Sequence, residues 1–277
     1  MDWIRPPALK RGSRIALVSP SGPLPAVPEG KLPPDLQAGM IRMRQAGWEP
    51  VLFPHALKEW GYLAGTDDER VADLMTAFRD PEIDAVFAIR GGYGASRILP
   101  RLDYEAITRH PKIFAGFSDI TAFHAALGRR SRLITFHAPV PAGGYRGKGN
   151  FEHLAAVLTG QTCQIDGRSG EDGTPATEAV QLSTLRGGTA EGRLLGGNIS
   201  MLCALTATPY QPDTRGAVLV LEDVGEAPYR LDRMLTHLGQ AGWFEGIRGL
   251  VIGELVKCAA PPQRPSLTSG EVVADRL

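Results

Sequence analysis

The sequence predicts an α/β protein: a parallel sheet with helices on its faces, followed by a smaller β-rich α+β domain. Three observations carry this reading. Short apolar runs of strand length alternate with helical patterns through the first half of the chain. The joints between them are clusters of Gly, Pro and Ser, which stop regular structure. Between residues 160 and 190 periodicity fades into Gly, Thr, Ser and Asp, and a smaller set of strands and helices follows. The expected organisation is an amino-terminal domain over 1–165, a linker over 166–188 and a carboxy-terminal domain over 189–277.

The elements follow in order. Ile15–Ser19 (IALVS) is a first strand, closed by Pro20-Ser21-Gly22-Pro23, which cannot be helical. A proline-containing loop leads to a helix over Asp35–Ala46, ended by Gly47, and a second strand over Glu49–Phe53. Thr66-Asp-Asp-Glu69 is a capping box. It opens a helix to Phe78 with Val71, Leu74, Met75 and Phe78 on its apolar side. Asp84–Ile89 is a third strand, followed by Arg90-Gly91-Gly92-Tyr93-Gly94 and a helix from Ala95. Ile113–Phe117 is a buried strand, Asp119–Leu127 a helix and Leu133–Phe136 a further strand.

After the linker come the segment Gly192–Leu195, a turn at Gly196-Gly197-Asn198 and a helix from Ile199 to about Thr206. Ala217–Leu221 is a strongly apolar strand with Glu222-Asp223 at its end; Arg230–Leu238 is a helix and Leu250–Leu255 a strand. Thr268-Ser-Gly-Glu271 is a second capping box, opening a helix over Val272–Leu277.

Bulk properties narrow the function. A chain of 277 residues accommodates one large domain or two modest ones. Lys+Arg and Asp+Glu each number 30, and this balance argues against broad binding to nucleic acid or anionic membrane. The amino terminus lacks an apolar stretch of signal-peptide length and no later run spans a bilayer, so a cytoplasmic location is expected. The three cysteines, Cys163, Cys203 and Cys258, are widely spaced and read as reduced thiols. Neither an HxxxH nor an HExxH pair occurs, so no zinc site is expected.

In parallel sheets ligands bind outside the carboxyl ends of the strands. Pro20–Pro23, Arg90–Gly94 and Ser118 all fall at such ends. Ser118 sits at a strand-to-helix joint. That placement suits a nucleophile elbow, although GFSD is not GxSxG, and it equally suits a helix-capping serine. The paired glycines of the RGGYG segment let amides approach a ligand, as an oxyanion hole or a phosphate cradle, or they simply make a tight turn. Arg90 and Arg230 could grip a carboxylate or lie on the surface.

Glu222 and Asp223 emerge from a buried strand, where a carboxylate can orient a histidine or face water. Of the six histidines, His55 reads as a loop residue and His110 lies at the far end of the sheet. His124 is on the wrong face of its helix to serve Ser118. His137 ends a neighbouring strand and is the one resident histidine to consider near the expected pocket, although a packed strand-end histidine is the favoured reading.

Six segments in order resemble the LD-carboxypeptidase family of serine peptidases: Leu17–Pro23, Ile89–Tyr104, Gly116–His124, Leu194–Leu202, Leu221–Leu235 and Gly249–Leu255. The resemblance implies a flavodoxin-like amino-terminal domain and a smaller β-rich carboxy-terminal one. It implies Ser118 as nucleophile, Glu222 as the acidic triad member and an oxyanion hole of backbone amides at Gly92 and Asp119. Substrate binding is expected at Arg90, Gly91, Tyr93 and Arg230.

The implied activity is release of the terminal D-alanine from cytoplasmic murein tetrapeptide in wall recycling. A branch of the family hydrolyses microcin-C-like acyl-sulfamoyl-adenylates, and a non-catalytic binder of wall peptides is the third reading. A small murein peptide and a second copy of the chain, as a homodimer, are the expected partners; no nucleic acid, membrane, metal or cofactor is expected. The family's catalytic histidine follows the last strand and helix in a segment resembling GHG, which this sequence lacks. The chain is therefore expected to be cut short before that base, and to be weakly active or inactive by itself.

Overall fold

A computed structural model of the chain describes residues 2–28, 30–145, 150–161, 183–260 and 265–277. Cys163 and residues 166–182 of the expected linker lie outside the described residues. The chain forms two compact units, Met1–Ser183 and Thr184–Leu277.

The first unit is built on five parallel strands: β1 (Arg14–Val18), β2 (Glu49–Leu52), β3 (Ala85–Ala88), β4 (Ile113–Gly116) and β5 (Phe136–His137). Their spatial order is β2-β1-β3-β4-β5, the flavodoxin-like order. The chain leaves β1 toward one edge and β3 toward the other, the switch point beside which ligands bind in such sheets, and the loops after these two strands meet there. The loops in question are Pro20–Pro23 and Arg90–Gly94.

The intervening helices are α1 (Pro34–Gln45), α2 (Asp67–Arg79), α3 (Ala95–Ile98), α4 (Tyr104–Arg109), α5 (Thr121–Ser131) and α6 (Asn150–Leu158). Strands β1, β3 and β4 are buried almost throughout, as strands covered on both faces should be. Phe114 of β4 packs between Phe78 of α2 and Phe123 of α5, with ring centroids 6.3 and 5.6 Å away.

Helix α2 starts at the predicted capping box: the Glu69 amide donates to Thr66 Oγ1 and the Thr66 amide to Glu69 Oε2. Its inner side carries Leu74, Met75 and Phe78 as expected, but also buries Arg70 and Asp73. The strand expected at Leu133–Phe136 is displaced to Phe136–His137. Ile4 occupies the earlier positions: its amide donates to Arg132 O and its carbonyl accepts from Ile134 N. Pairing with β4 therefore begins only at Phe136.

The second unit holds three parallel strands in the order β6 (Arg193–Asn198), β7 (Ala217–Val224), β8 (Gly249–Val256). Helices α7 (Ile199–Leu205), α8 (Pro228–Gln240) and α9 (Ser269–Arg276) supply the rest. Leu219 and Leu221 of β7 meet Leu231, Leu235 and Leu238 of α8, Trp243, and Val272 and Val273 of α9 in one core.

Gly196-Gly197-Asn198 is not a turn but the end of β6, in register with Val220, Leu221 and Glu222. Gly196 has φ 135°, and a β-carbon there would stand 1.8 Å from the Val220 carbonyl oxygen. The glycine serves close backbone approach, not reversal. Strand β7 likewise runs past Leu221, so Glu222 and Asp223 lie within it.

Candidate active site

Ser118 has φ 64°, the left-handed region that non-glycine residues seldom enter. Strand β4 ends at Gly116, and the chain turns at once into a single 3-10 turn over Ser118–Ile120 and then α5. The joint is tight because a β-carbon on Gly116 would come within 2.9 Å of Ile120. Ser118 is the first residue of the turn, not its cap; the cap position is Phe117, and it makes no side-chain cap bond. Of the two roles open to the serine, the elbow describes its backbone.

The RGGYG loop lies directly against this serine. A β-carbon on Gly91 would stand 2.9 Å from Ser118 Cβ and 3.2 Å from its Oγ. Gly92, at φ 131°, packs equally closely on the loop after β1, where a β-carbon would meet Gly22 N and Cα at 2.8 Å. Among the described residues the Gly92 amide donates to no backbone acceptor. A backbone amide left open in a loop that packs on a serine is of the kind that can receive developing negative charge.

Three buried side chains fix the arrangement. Asp119 Oδ2 accepts from the Ser21 hydroxyl and, at 2.9 Å, from the Ala95 amide. Burial pushes the Asp119 carboxyl up; the two hydrogen bonds and the Arg70 charge oppose that shift. Arg70 Nη1 donates to Pro20 O at 2.7 Å and Gly94 O at 2.9 Å, and Nη2 to Asp67 at 2.5 Å. The loops after β1, β3 and β4 are thus tied to one another at several points.

His124 is not available to Ser118. Its Nε2 donates to Gly116 O at 2.8 Å, and its Nδ1 accepts from Thr135 Oγ1 at 3.0 Å. Burial, aided by the neighbouring His137, depresses it to about 3, so it is a neutral structural imidazole. His137 packs edge-on against Phe117, ring centroids 6.2 Å apart, and borders an apolar pocket of about 380 Å³ with Phe117, Val140 and Tyr145. Burial lowers the His137 ring too, to about 4, so both imidazoles are neutral near pH 7 and His124 is the more strongly depressed of the two.

In the second unit the neighbouring carboxylates on β7 face opposite ways, because successive strand residues alternate. Asp223 points into the core side and is buried. It accepts from Asn198 Nδ2 (3.0 Å), Ser200 N (2.9 Å), Ser200 Oγ (2.8 Å) and Val224 N (2.8 Å), which anchors the start of α7.

Glu222 faces the other side, opposite a β-bulge where β8 passes from Ile252 to Leu255 while β7 passes from Leu221 to Asp223. Burial first, and the Asp223 charge second, push its carboxyl up to about 7, against a hydrogen bond from Asn198. A carboxylate whose proton comes off near neutrality is a candidate for chemistry; a fully committed one such as Asp223 is not.

Comparison with known proteins places the chain in a family. Residues 15–138 match the LD-carboxypeptidase N-terminal domain and residues 191–277 the LD-carboxypeptidase C-terminal domain. A Streptomyces coelicolor protein named as a carboxypeptidase, SCO6489, is 42% identical over 288 aligned residues, covering 100% of this chain and 84% of its own length. The chain belongs to the LD-carboxypeptidase family.

A Bacillus subtilis protein named as a murein peptide carboxypeptidase is 35% identical, with 99% of this chain and 82% of that one aligned. The crystal structure of an MccF-like protein from Bacillus anthracis superposes with a TM-score of 0.81 at 27% identity, covering 99% of this chain and 85% of that one. Family membership makes the chain a hydrolase of carboxypeptidase or MccF-like type.

The remaining predicted residues of this family member fall as follows. Arg90 donates from Nη1 to Pro23 O at 2.5 Å, which bridges the loops after β1 and β3. Tyr93 is 73% exposed, its ring edge-on to Tyr62 at 6.4 Å, and is open to a ligand. Arg230 lies on α8 and pairs with Glu226 at 3.3 Å. Gly91, Gly92, Asp119 and Ser118 are brought together in the first unit; Glu222 and Arg230 belong to the second.

The sequence reading missed Arg70, Ser21 and the Asp119 side chain. An arginine amid the apolar positions of α2 and a serine inside a proline turn were the available signals. Among the described residues no group of three or more His, Cys, Asp or Glu is placed to hold a metal ion. No described helix is long and apolar enough to cross a membrane.

Proposed function

We propose that the protein is a serine-type LD-carboxypeptidase that releases the terminal D-alanine of murein tetrapeptide in the cytoplasm, in wall recycling. The observation that carries this is the left-handed Ser118, φ 64°, packed against the Gly91-Gly92 backbone. Nothing in a plain helix start calls for that geometry, whereas a nucleophile presented to an oxyanion hole does.

In this reading Ser118 Oγ attacks the carbonyl preceding D-alanine, and its proton passes to a histidine base. The amides of Gly92 and Asp119 hold the oxyanion. Glu222 steadies the imidazolium, the base returns its proton to the leaving amine, and water then releases the acyl group. Tyr93, Arg90, Gly91 and Arg230 contact the peptide, and the working form is a homodimer.

The name of the Bacillus subtilis relative supports a murein peptide substrate. Likeness to the MccF-like protein supports a second reading, hydrolysis of a peptidyl-sulfamoyl-adenylate. Assaying both substrates side by side separates the two. D-alanine release that Ser118→Ala abolishes supports the first. Turnover of the adenylate alone supports the second.

These 277 residues assayed by themselves are expected to turn over slowly, since none of their six histidines lies in a GHG-like segment. Loss of such a base lowers turnover by ~10⁴–10⁶. D-alanine release near that of the Bacillus subtilis relative would instead point to His137.

A further inference from the structure

The Asp119 amide already has a place in the proposed oxyanion hole; its carboxylate does not. That carboxylate is 3% exposed and makes its described hydrogen bonds through a single oxygen. One donor is the Ser21 hydroxyl, from the loop after β1. The other is the Ala95 amide, the first residue of α3, immediately after the RGGYG loop. Ser21 Oγ also lies 3.2 Å from the Tyr93 carbonyl oxygen, and Gly22 N donates to Gly91 O at 3.2 Å.

The segment that carries Gly92 is therefore pinned on either side of it, and one anchor is the residue next to Ser118. The Ser21 hydroxyl, in reach of both the Asp119 carboxylate and the Tyr93 carbonyl, completes the link, while the Asp119 carboxylate alone bonds to the Ala95 amide at the end of that loop. We propose that the Asp119 carboxylate is a positioning residue, which sets the distance between the Gly92 amide and Ser118 Oγ so that the hole fits a tetrahedral adduct.

The inference rests on Ser118 being the nucleophile. It acts through hydrogen bonds, not charge. An asparagine that turns its carbonyl oxygen to the same place keeps both donors satisfied, while an alanine leaves the Ala95 amide without this acceptor and the Ser21 hydroxyl with only the Tyr93 carbonyl. A hole misplaced by a fraction of an ångström still admits the planar ground state but loses hold of the tetrahedral one.

The test uses the whole chain and two probes. One is γ-D-glutamyl-L-boro-lysine, whose boron accepts the Ser118 oxygen. The B–O bond forms, the serine proton leaves to water, and an anionic tetrahedral boronate results with no change of oxidation state. The other is γ-D-glutamyl-L-lysyl-D-alanine, a ground-state ligand.

Asp119→Ala is expected to weaken boronate binding by about 10²-fold, the scale of losing one oxyanion donor, and tripeptide binding by less than about 3-fold. Asp119→Asn is expected to restore boronate binding to within about 5-fold of the parent. Ser21→Ala, which removes one of the two bonds and keeps the fold if Asp119→Ala does not, is expected to cost about 10-fold on the boronate alone.

Unchanged boronate binding in Asp119→Ala or Ser21→Ala overturns the proposal. Equal losses on both probes overturn it too, since that is what a general structural role produces. Ser118→Ala separates the underlying reading: if it still binds the boronate like the parent, the nucleophile assignment falls and this inference with it. If it loses boronate binding while Asp119→Ala keeps it, only the positioning role falls.

Discussion

Gly91 and Ser118 approach so closely that a β-carbon on the glycine would stand 2.9 Å from the serine's own β-carbon. Neither side can yield cheaply. Ser118 sits in a left-handed conformation fixed by the strand end and the 3-10 turn, and Gly91 is tied to Gly22 by its carbonyl. Gly91→Ala should push the loop off the serine. The expected outcome is a loss of D-alanine release of about 10²-fold, with a stability cost of only about 1–3 kcal/mol. Steady-state kinetics and a thermal melt read the two effects; an alanine variant with parental turnover would remove this contact from the reaction.

The β7 carboxylates differ in what their loss should do. Asp223→Ala strands the buried Asn198 amide group and removes the acceptor shared by the half-buried Ser200 donors and the Val224 amide. Stranding such donors should cost about 2–4 kcal/mol and lower the melting temperature clearly. Glu222→Gln keeps size and shape, and below about pH 4.5, where Glu222 is protonated folded and unfolded alike, the melting temperature should stay near the parent's. A reversed outcome in a thermal melt would exchange the roles assigned to the two carboxylates.

Glu222 carries a pH signature as well. Its ordinary value of 4.5 is raised to about 7, by burial first and Asp223 second. The folded protein thus keeps a proton that the unfolded chain releases. Glu222 favours the folded state fully below about 4.5, and that contribution is lost as pH rises through about 7. Glu222→Gln stays neutral, so its melting temperature relative to the parent should climb between pH 4.5 and 7.5. A carbonyl NMR titration should place the Glu222 midpoint near 7; an ordinary midpoint and a flat difference curve would contradict the burial argument.

Local signals were the ones readable in the sequence. The Thr66 and Thr268 capping boxes form as read, because both partners lie within four residues. The strands β1, β3, β4 and β7 are found where apolar runs put them. The misread positions depend on distant neighbours. Gly196 looks like a turn glycine until the Val220 carbonyl appears beside it, and the start of β5 is decided by Ile4. Ser118 could be suspected from its joint, but its left-handed φ could not be read locally. Arg70 and Asp119 make their contacts with loops 24 to 98 residues away, a separation at which no spacing rule speaks.

His124 gives the opposite pH dependence, and from a different cause. Both ring nitrogens are engaged, Nε2 as donor to Gly116 O and Nδ1 as acceptor from Thr135 Oγ1, which requires the neutral ring. Burial, with His137 nearby, lowers its value from 6.5 to about 3. The unfolded chain takes up a proton that the folded protein refuses. The stability contributed by His124 is therefore complete above about 6.5 and is lost as pH falls toward 3. Because Gly116 immediately precedes the elbow, protonation should loosen the segment that presents Ser118. His124→Gln, which can donate to Gly116 O without titrating, should flatten the acid limb of the stability curve between pH 6.5 and 4 while lowering stability at pH 7 by about 1 kcal/mol. Imidazole NMR should show His124 neutral at pH 5. A protonated His124 ring at that pH, in a protein still folded, would mean the hydrogen bond to Gly116 is not what holds this strand end.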